Sequence, residues 1–101
     1  MKYTVVISER AKRQIAQHVS FLADVNKNAA RKLKKNIIED LNALSDMPRR
    51  YSYLNDELIE KNYYRKMLFE GRYLAVYHIN GNTVYIDYVV DYRQDYQWLL
   101  K

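Results

Sequence analysis

A chain of 101 residues with no cysteine is long enough to fold around one hydrophobic core, and it excludes disulfides and thiolate metal sites. Seventeen Lys and Arg against twelve Asp and Glu give a net charge of +5, and residues 1–50 hold eleven of those cations but only five of the acids. No apolar run approaches the roughly 20 residues of a membrane span and the start carries no signal-peptide pattern. The expectation is therefore a soluble cytoplasmic protein, one domain over residues 1–101, whose basic first half suits a polyanion or an acidic protein partner.

Taken in order, Lys2 to Ile7 is short and β-branched and reads as a strand. Ser8 then suits a helix N-cap, with Glu9 placed at the positive end of the dipole. Ala11, Ile15, Val19 and Leu22 recur at helical spacing, while Arg10, Lys12, Arg13, Gln14 and Gln17 take the wet side. Asp24 to Asn28 breaks the pattern, and a second stripe follows at Ala30, Leu33, Ile37, Leu41 and Leu44. Its polar side carries Arg31, Lys32, Lys34 and Lys35, a cluster that serves either as a solvated face or as a seat for RNA, DNA or a ribosome. The helix should stop near Ser45-Asp46-Met47-Pro48, because proline disfavours the helical conformation in the residue before it. Two helices with so short a break pack as an antiparallel hairpin.

Arg49 to Asn62 reads as a connecting loop. Tyr63 to Phe69 is a strand candidate that puts Arg65 and Lys66 on opposite faces of a sheet, so only one of them serves a site on a given face. After the turn Glu70-Gly71-Arg72, Tyr73 to Ile79 and Thr83 to Val90 flank Asn80-Gly81-Asn82, a strong hairpin signal. Alternation predicts that Val84, Ile86, Tyr88 and Val90 share an apolar face. Beyond them Asp91-Tyr92-Arg93-Gln94-Asp95-Tyr96 turns polar, and Trp98, Leu99 and Leu100 suit packing. The fold class is α+β in the order β-α-α-β-β-β: an antiparallel sheet, with the N-terminal strand joining a three-strand meander, covered on one face by the helical hairpin.

No Gly-rich phosphate loop, metal-ligand spacing or cofactor motif is present. His18 suits a boundary position; His78 suits either a packed, hydrogen-bonded role or general acid–base work. The remaining candidates are Arg65, Lys66, Arg72, Arg93, Tyr92 and Tyr96. Cleaving RNA through its own 2′-OH needs a base, an acid and cations for the phosphorane, and Arg and Lys supply the cations. The same residues would serve plain nucleic-acid binding, by phosphate clamping and stacking on tyrosine.

The N-terminal strand, the Ser8-Glu9-Arg10-Ala11 helix start, the basic hairpin, Tyr73-Leu74-Ala75-Val76-Tyr77, Val84-Tyr85-Ile86-Asp87-Tyr88-Val89-Val90 and the Asp91-to-Tyr96 ending together resemble the RelE/ParE superfamily of toxins from bacterial type II toxin–antitoxin modules. The resemblance covers nearly the whole chain. It implies a toxin that is either a metal-free, ribosome-dependent mRNA interferase of the RelE type or a non-enzymatic DNA gyrase inhibitor of the ParE type; an inactive nucleic-acid- or antitoxin-binding domain is the third reading. As an interferase the chain would use Arg65 or Lys66, Arg93 and Tyr96 at the scissile phosphate, without a cofactor or metal. Arg31, Lys32, Lys34, Lys35 and Arg72 would hold RNA or ribosome. Leu74 stands where RelE-like toxins carry arginine, whereas ParE-like toxins accept an apolar residue there. The resemblance further implies an acidic, partly disordered antitoxin wrapped over sheet and helices, and leaves a homodimer open.

Overall fold

A computed structural model describes residues 2–55 and 60–92. In chain order it contains β1 (Thr4–Ile7), α1 (Glu9–Ala23), α2 (Lys27–Asn42), β2 (Arg65–Phe69), β3 (Tyr73–Asn80) and β4 (Thr83–Asp91), with 3₁₀ turns at Ala43–Ser45 and Pro48–Arg50. Ser8 caps α1 as expected: its Oγ accepts from the Ala11 N–H at 3.0 Å and donates to the Asp87 carbonyl at 3.1 Å, so one hydroxyl satisfies a helix end and ties it to β4. Asn26 caps α2 in the same way through Ala29 N–H. After α2, Met47 adopts a left-handed conformation at φ 49° directly before Pro48, where the helical region is disfavoured.

The strand order is β1-β4-β3-β2. β2, β3 and β4 form the expected antiparallel meander, but β1 joins β4 in parallel, so the sheet is mixed. Tight turns reverse the chain between β2 and β3 and between β3 and β4, so β4 runs with β2. Because β1 is parallel to β4, β2 also runs with β1, an orientation that no local pattern encodes. The segment read as a loop also contributes to the sheet edge: Lys66 N–H bonds to Ser52 O and Leu54 N–H to Tyr64 O, with a bridge from Tyr53 to Arg65. At the hairpin tip Asn80 pairs with Thr83, leaving Gly81-Asn82 as the two-residue turn. Gly81 lies at φ 61° while neither asparagine has positive φ, the pattern of a II′ turn with glycine first.

β4 departs from strict alternation. Val76 pairs with Tyr88 but Tyr77 pairs with Ile86, so Asp87 is an extra residue, a β-bulge that switches which face each later side chain occupies. Val84, Ile86 and Val89 therefore pack with Ile15, Ile37, Leu41, Leu44 and Tyr77 beneath the helices. Val90 instead joins Leu54, Leu74 and Val76 on the opposite, helix-free face, with Tyr64 and Tyr88 packed beside them. The four residues expected on one face are divided between two. Beyond Ile7 the β1 side of β4 is uncovered, and α1 closes it: Val89 N–H donates to Gln14 Oε1 at 2.8 Å, and His18 Nε2 donates to Val89 O at 2.9 Å.

Candidate functional site

The helix-free face of the sheet is where exposed side chains of chemical interest converge. Arg65 and Lys66 do lie on opposite sides: Arg65 is paired with Tyr77 and Lys66 with Val76, and cross-strand partners share a face. Arg65 is on the helix side. Its Nη1 donates to Arg49 O at 3.0 Å and Tyr51 O at 2.6 Å, its Nη2 to Tyr53 Oη at 2.9 Å, and its guanidinium lies 4.0 Å from the Tyr53 ring. It anchors the 49–53 segment against β2.

Lys66 faces the other way into a cleft of about 490 Å³, lined by Arg50, Tyr51, Ser52, Leu68, Leu74 and Tyr92. Leu68 and Tyr92 are about half exposed on its rim, whereas Leu74 is buried. The cleft therefore combines two cations with apolar walls and phenol groups. Arg50 and Ser52 carry no periodic signal in the sequence; the backbone bonds of Ser52 and Leu54 to the β2 edge, together with the Arg65 side chain, bring their segment to β2.

Arg72 is engaged elsewhere. Its Nη2 lies 3.0 Å from Asp91 Oδ2, and its backbone carbonyl accepts from Tyr92 N–H at 2.6 Å. Alternation alone would send Arg72 away from Tyr73, yet its guanidinium sits 5.2 Å from the Tyr73 ring, drawn there by the largely buried Asp91 carboxylate. Arg31, Lys32, Lys34 and Lys35 are exposed on α2, in the helical layer on the other side of the sheet from Lys66. Arg93 and Tyr96 lie outside the described residues.

His78 is hydrogen-bonded, one of the two roles open to it: Nδ1 is 2.9 Å from Asp87 Oδ2. Tyr63 stacks on one face of the imidazole at 4.8 Å and Tyr85 on the other at 5.0 Å. Burial, and after it the Asp87 carboxylate to which its hydroxyl hydrogen-bonds, pushes the Tyr64 phenol well above its ordinary value, so it stays protonated as a donor. The signal for this cluster was present in the sequence, since placing the turn at Gly81-Asn82 puts His78 opposite Tyr85.

On the helical side, Ile7, Ile15, Ala16, Val19 and Ile38 line an apolar groove of about 460 Å³ whose rim includes Lys12 and Lys34. Among the described residues no group of three or more His, Asp or Glu is placed to hold a metal ion, and no helix is long and apolar enough to cross a membrane.

Three comparisons bear on this architecture. A family model described as the ParE toxin of type II toxin–antitoxin system, parDE, matches residues 5–96. Among solved structures, the chain is similar to one titled as a chromosomal ParDE TA system from P. aeruginosa, with a TM-score of 0.74 over 89% of this chain and 96% of that one, at 13% identity. That likeness is one of fold. No curated protein matches.

Proposed function

The chain belongs to the ParE toxin family of type II toxin–antitoxin systems, and we propose that it arrests growth by binding DNA gyrase rather than by cutting RNA. It is the toxin component of such a module, and its partner is an antitoxin. The observation that carries the choice of mechanism is Arg65: its guanidinium is held by three acceptors on the side of the sheet away from Lys66. A phosphorane carries dispersed negative charge and needs several preorganised cations in one water-poor place. Here Arg72 is paired with Asp91, the α2 cations lie across the molecule, and Leu74 forms part of the cleft wall. An open cleft with apolar walls and two cations suits a protein surface better than a transition state.

Lys66 and Arg50 in one cleft with Tyr51 and Tyr92 favour the second reading, ribosome-dependent mRNA cleavage with Lys66 at the phosphate. One paired experiment separates them. Purified toxin is added to a gyrase supercoiling reaction and, in parallel, to a reconstituted translation system whose mRNA is analysed by primer extension. The expected result is loss of supercoiling with intact mRNA. Codon-phased cuts that need ribosomes, with supercoiling untouched, would overturn the gyrase reading. The apolar groove rimmed by Lys12 and Lys34 is the proposed seat of an amphipathic, acidic antitoxin segment, whose folding on the toxin neutralises the basic helices.

A further inference from the structure

The helix-free face carries a second surface, toward the hairpin tip from the cleft. Register makes Val6 the partner of Tyr85 and Tyr85 the partner of His78, and Tyr63 stacks on His78 from the β2 side. One transverse row thus crosses from β1 to the β2 edge. The rings form a column: Tyr63 to His78 is 4.8 Å with planes 21° apart, and His78 to Tyr85 is 5.0 Å with planes 15° apart. Both ends are open to solvent, with Val6 and Tyr63 each 41% exposed. Tyr64 does not cap the column. It lies 4.8 Å from Tyr63 and only 5.9 Å from His78, edge-on to both; a ring capping Tyr63 would lie much farther from His78.

The neighbouring row supplies charge. Lys66 opposes Val76, which opposes Tyr88, and the Arg10 guanidinium reaches round the end of β1 to lie 4.6 Å from the Tyr88 ring. A cation therefore stands at each side of the sheet, one row away from the column. Adjacent same-face rows are separated by roughly 7–8 Å on the diagonal, within reach of side chains as long as these. The acid among these groups, Asp87, faces inward to His78 Nδ1 and the Tyr64 hydroxyl, which reduces its repulsion of a polyanion.

We propose that this face binds single-stranded nucleic acid, with an unpaired base continuing the ring column on the exposed face of Tyr63 and the backbone phosphates meeting Lys66 and Arg10. Stacking platforms flanked by cations bind unpaired bases of any sequence, because every base presents a π face. The activity is separate from gyrase binding and from mRNA cleavage, and it stands or falls independently of either.

The test is fluorescence anisotropy of the full-length toxin with labelled twelve-residue oligo-dT and oligo-U at 50 and 200 mM salt. Both oligonucleotides bind, unlabelled duplex competes poorly, and Tyr63→Ala weakens binding by about 5- to 150-fold while Tyr63→Phe does not. Lys66→Gln reduces the dependence of log affinity on log salt by about 0.7. Equal affinity for the two strands assigns recognition to base and phosphate; a preference for oligo-U that persists against oligo-dU, which carries the same base, adds the 2′-OH. A thermal melt of each variant checks folding, and Tyr63 lies outside β2 and is partly exposed, so its truncation leaves the core intact. The proposal is overturned if neither oligonucleotide binds at 50 mM salt. It is equally overturned if duplex competes as well as single strands, or if Tyr63→Ala binds normally while replacing Lys34 and Lys35 by Gln abolishes binding. Loss of antitoxin or gyrase binding in Tyr63→Ala, with no oligonucleotide bound by the parent, would make this face a protein interface.

Discussion

Replacing Arg65 with Ala separates a structural arginine from one that acts on a target. Its guanidinium makes three hydrogen bonds, to Arg49 O, Tyr51 O and Tyr53 Oη. Hydrogen bonds to a charged group contribute about 1.5–3 kcal/mol each by mutation, so three would sum to more than about 4 kcal/mol if all were buried. The Arg49 contact is exposed and the other two are only partly buried, and the freed carbonyls can bond to water. The expected loss for Arg65→Ala is therefore about 2–3 kcal/mol. At roughly 4–8 °C per kcal/mol for a domain of this size, the melting temperature should fall by roughly 10–20 °C. Arg65→Lys keeps the charge but not the planar fork that reaches three acceptors at once, and should lose most of the same stability. Urea denaturation of the three proteins, paired with growth inhibition on induction, reads the result. A loss below about 0.5 kcal/mol would refute the anchoring argument, being smaller than one net hydrogen bond. Abolished growth inhibition at unchanged stability would place Arg65 at a target and revive it as a catalytic candidate.

Two further outcomes follow from buried and strained positions. Tyr77 is fully buried and donates to Pro48 O at 2.7 Å, with burial holding the phenol well above its ordinary value; Tyr77→Phe leaves that carbonyl unpaired and should cost about 1–3 kcal/mol in urea denaturation, whereas no loss would mean that water replaces the bond. Glu70 and Gly71 lie at φ 52° and 69° between β2 and β3, so Glu70→Asn should stabilise by roughly 1 kcal/mol through the asparagine preference for such turns. It also removes a carboxylate that, second to burial, raises the Asp40 pKa above 3.8. A raised carboxylate pKa favours the protonated folded state, so its penalty is absent below the unfolded pKa and grows as pH rises through the folded one. Thermal melts should therefore show a larger gain at pH 7 than at pH 3; an equal gain would remove the electrostatic part of the argument.

The sequence by itself determined the elements. Helical stripes, the Ser8 cap, the break before α2, the stop before Pro48 and the glycine-containing hairpin depend on interactions within a few residues, and those are readable from neighbours alone. It also placed Arg65 and Lys66 on opposite faces, because alternation is a local property of an extended chain. Only the tertiary structure decided which face each would serve. The direction of β1 depends on its pairing with β4, about 80 positions away along the chain, and the Asp87 bulge depends on how β4 meets β3. The hold of Arg65 on residues 49–53, and of Asp91 on Arg72, depends on partners 12 to 19 positions away. The hairpin turn alone sets His78 opposite Tyr85, whereas the stacking of Tyr63 on His78 depends on long-range register. Local propensity decides what a segment becomes; the closure of loops around a shared core decides which side chains remain available for function.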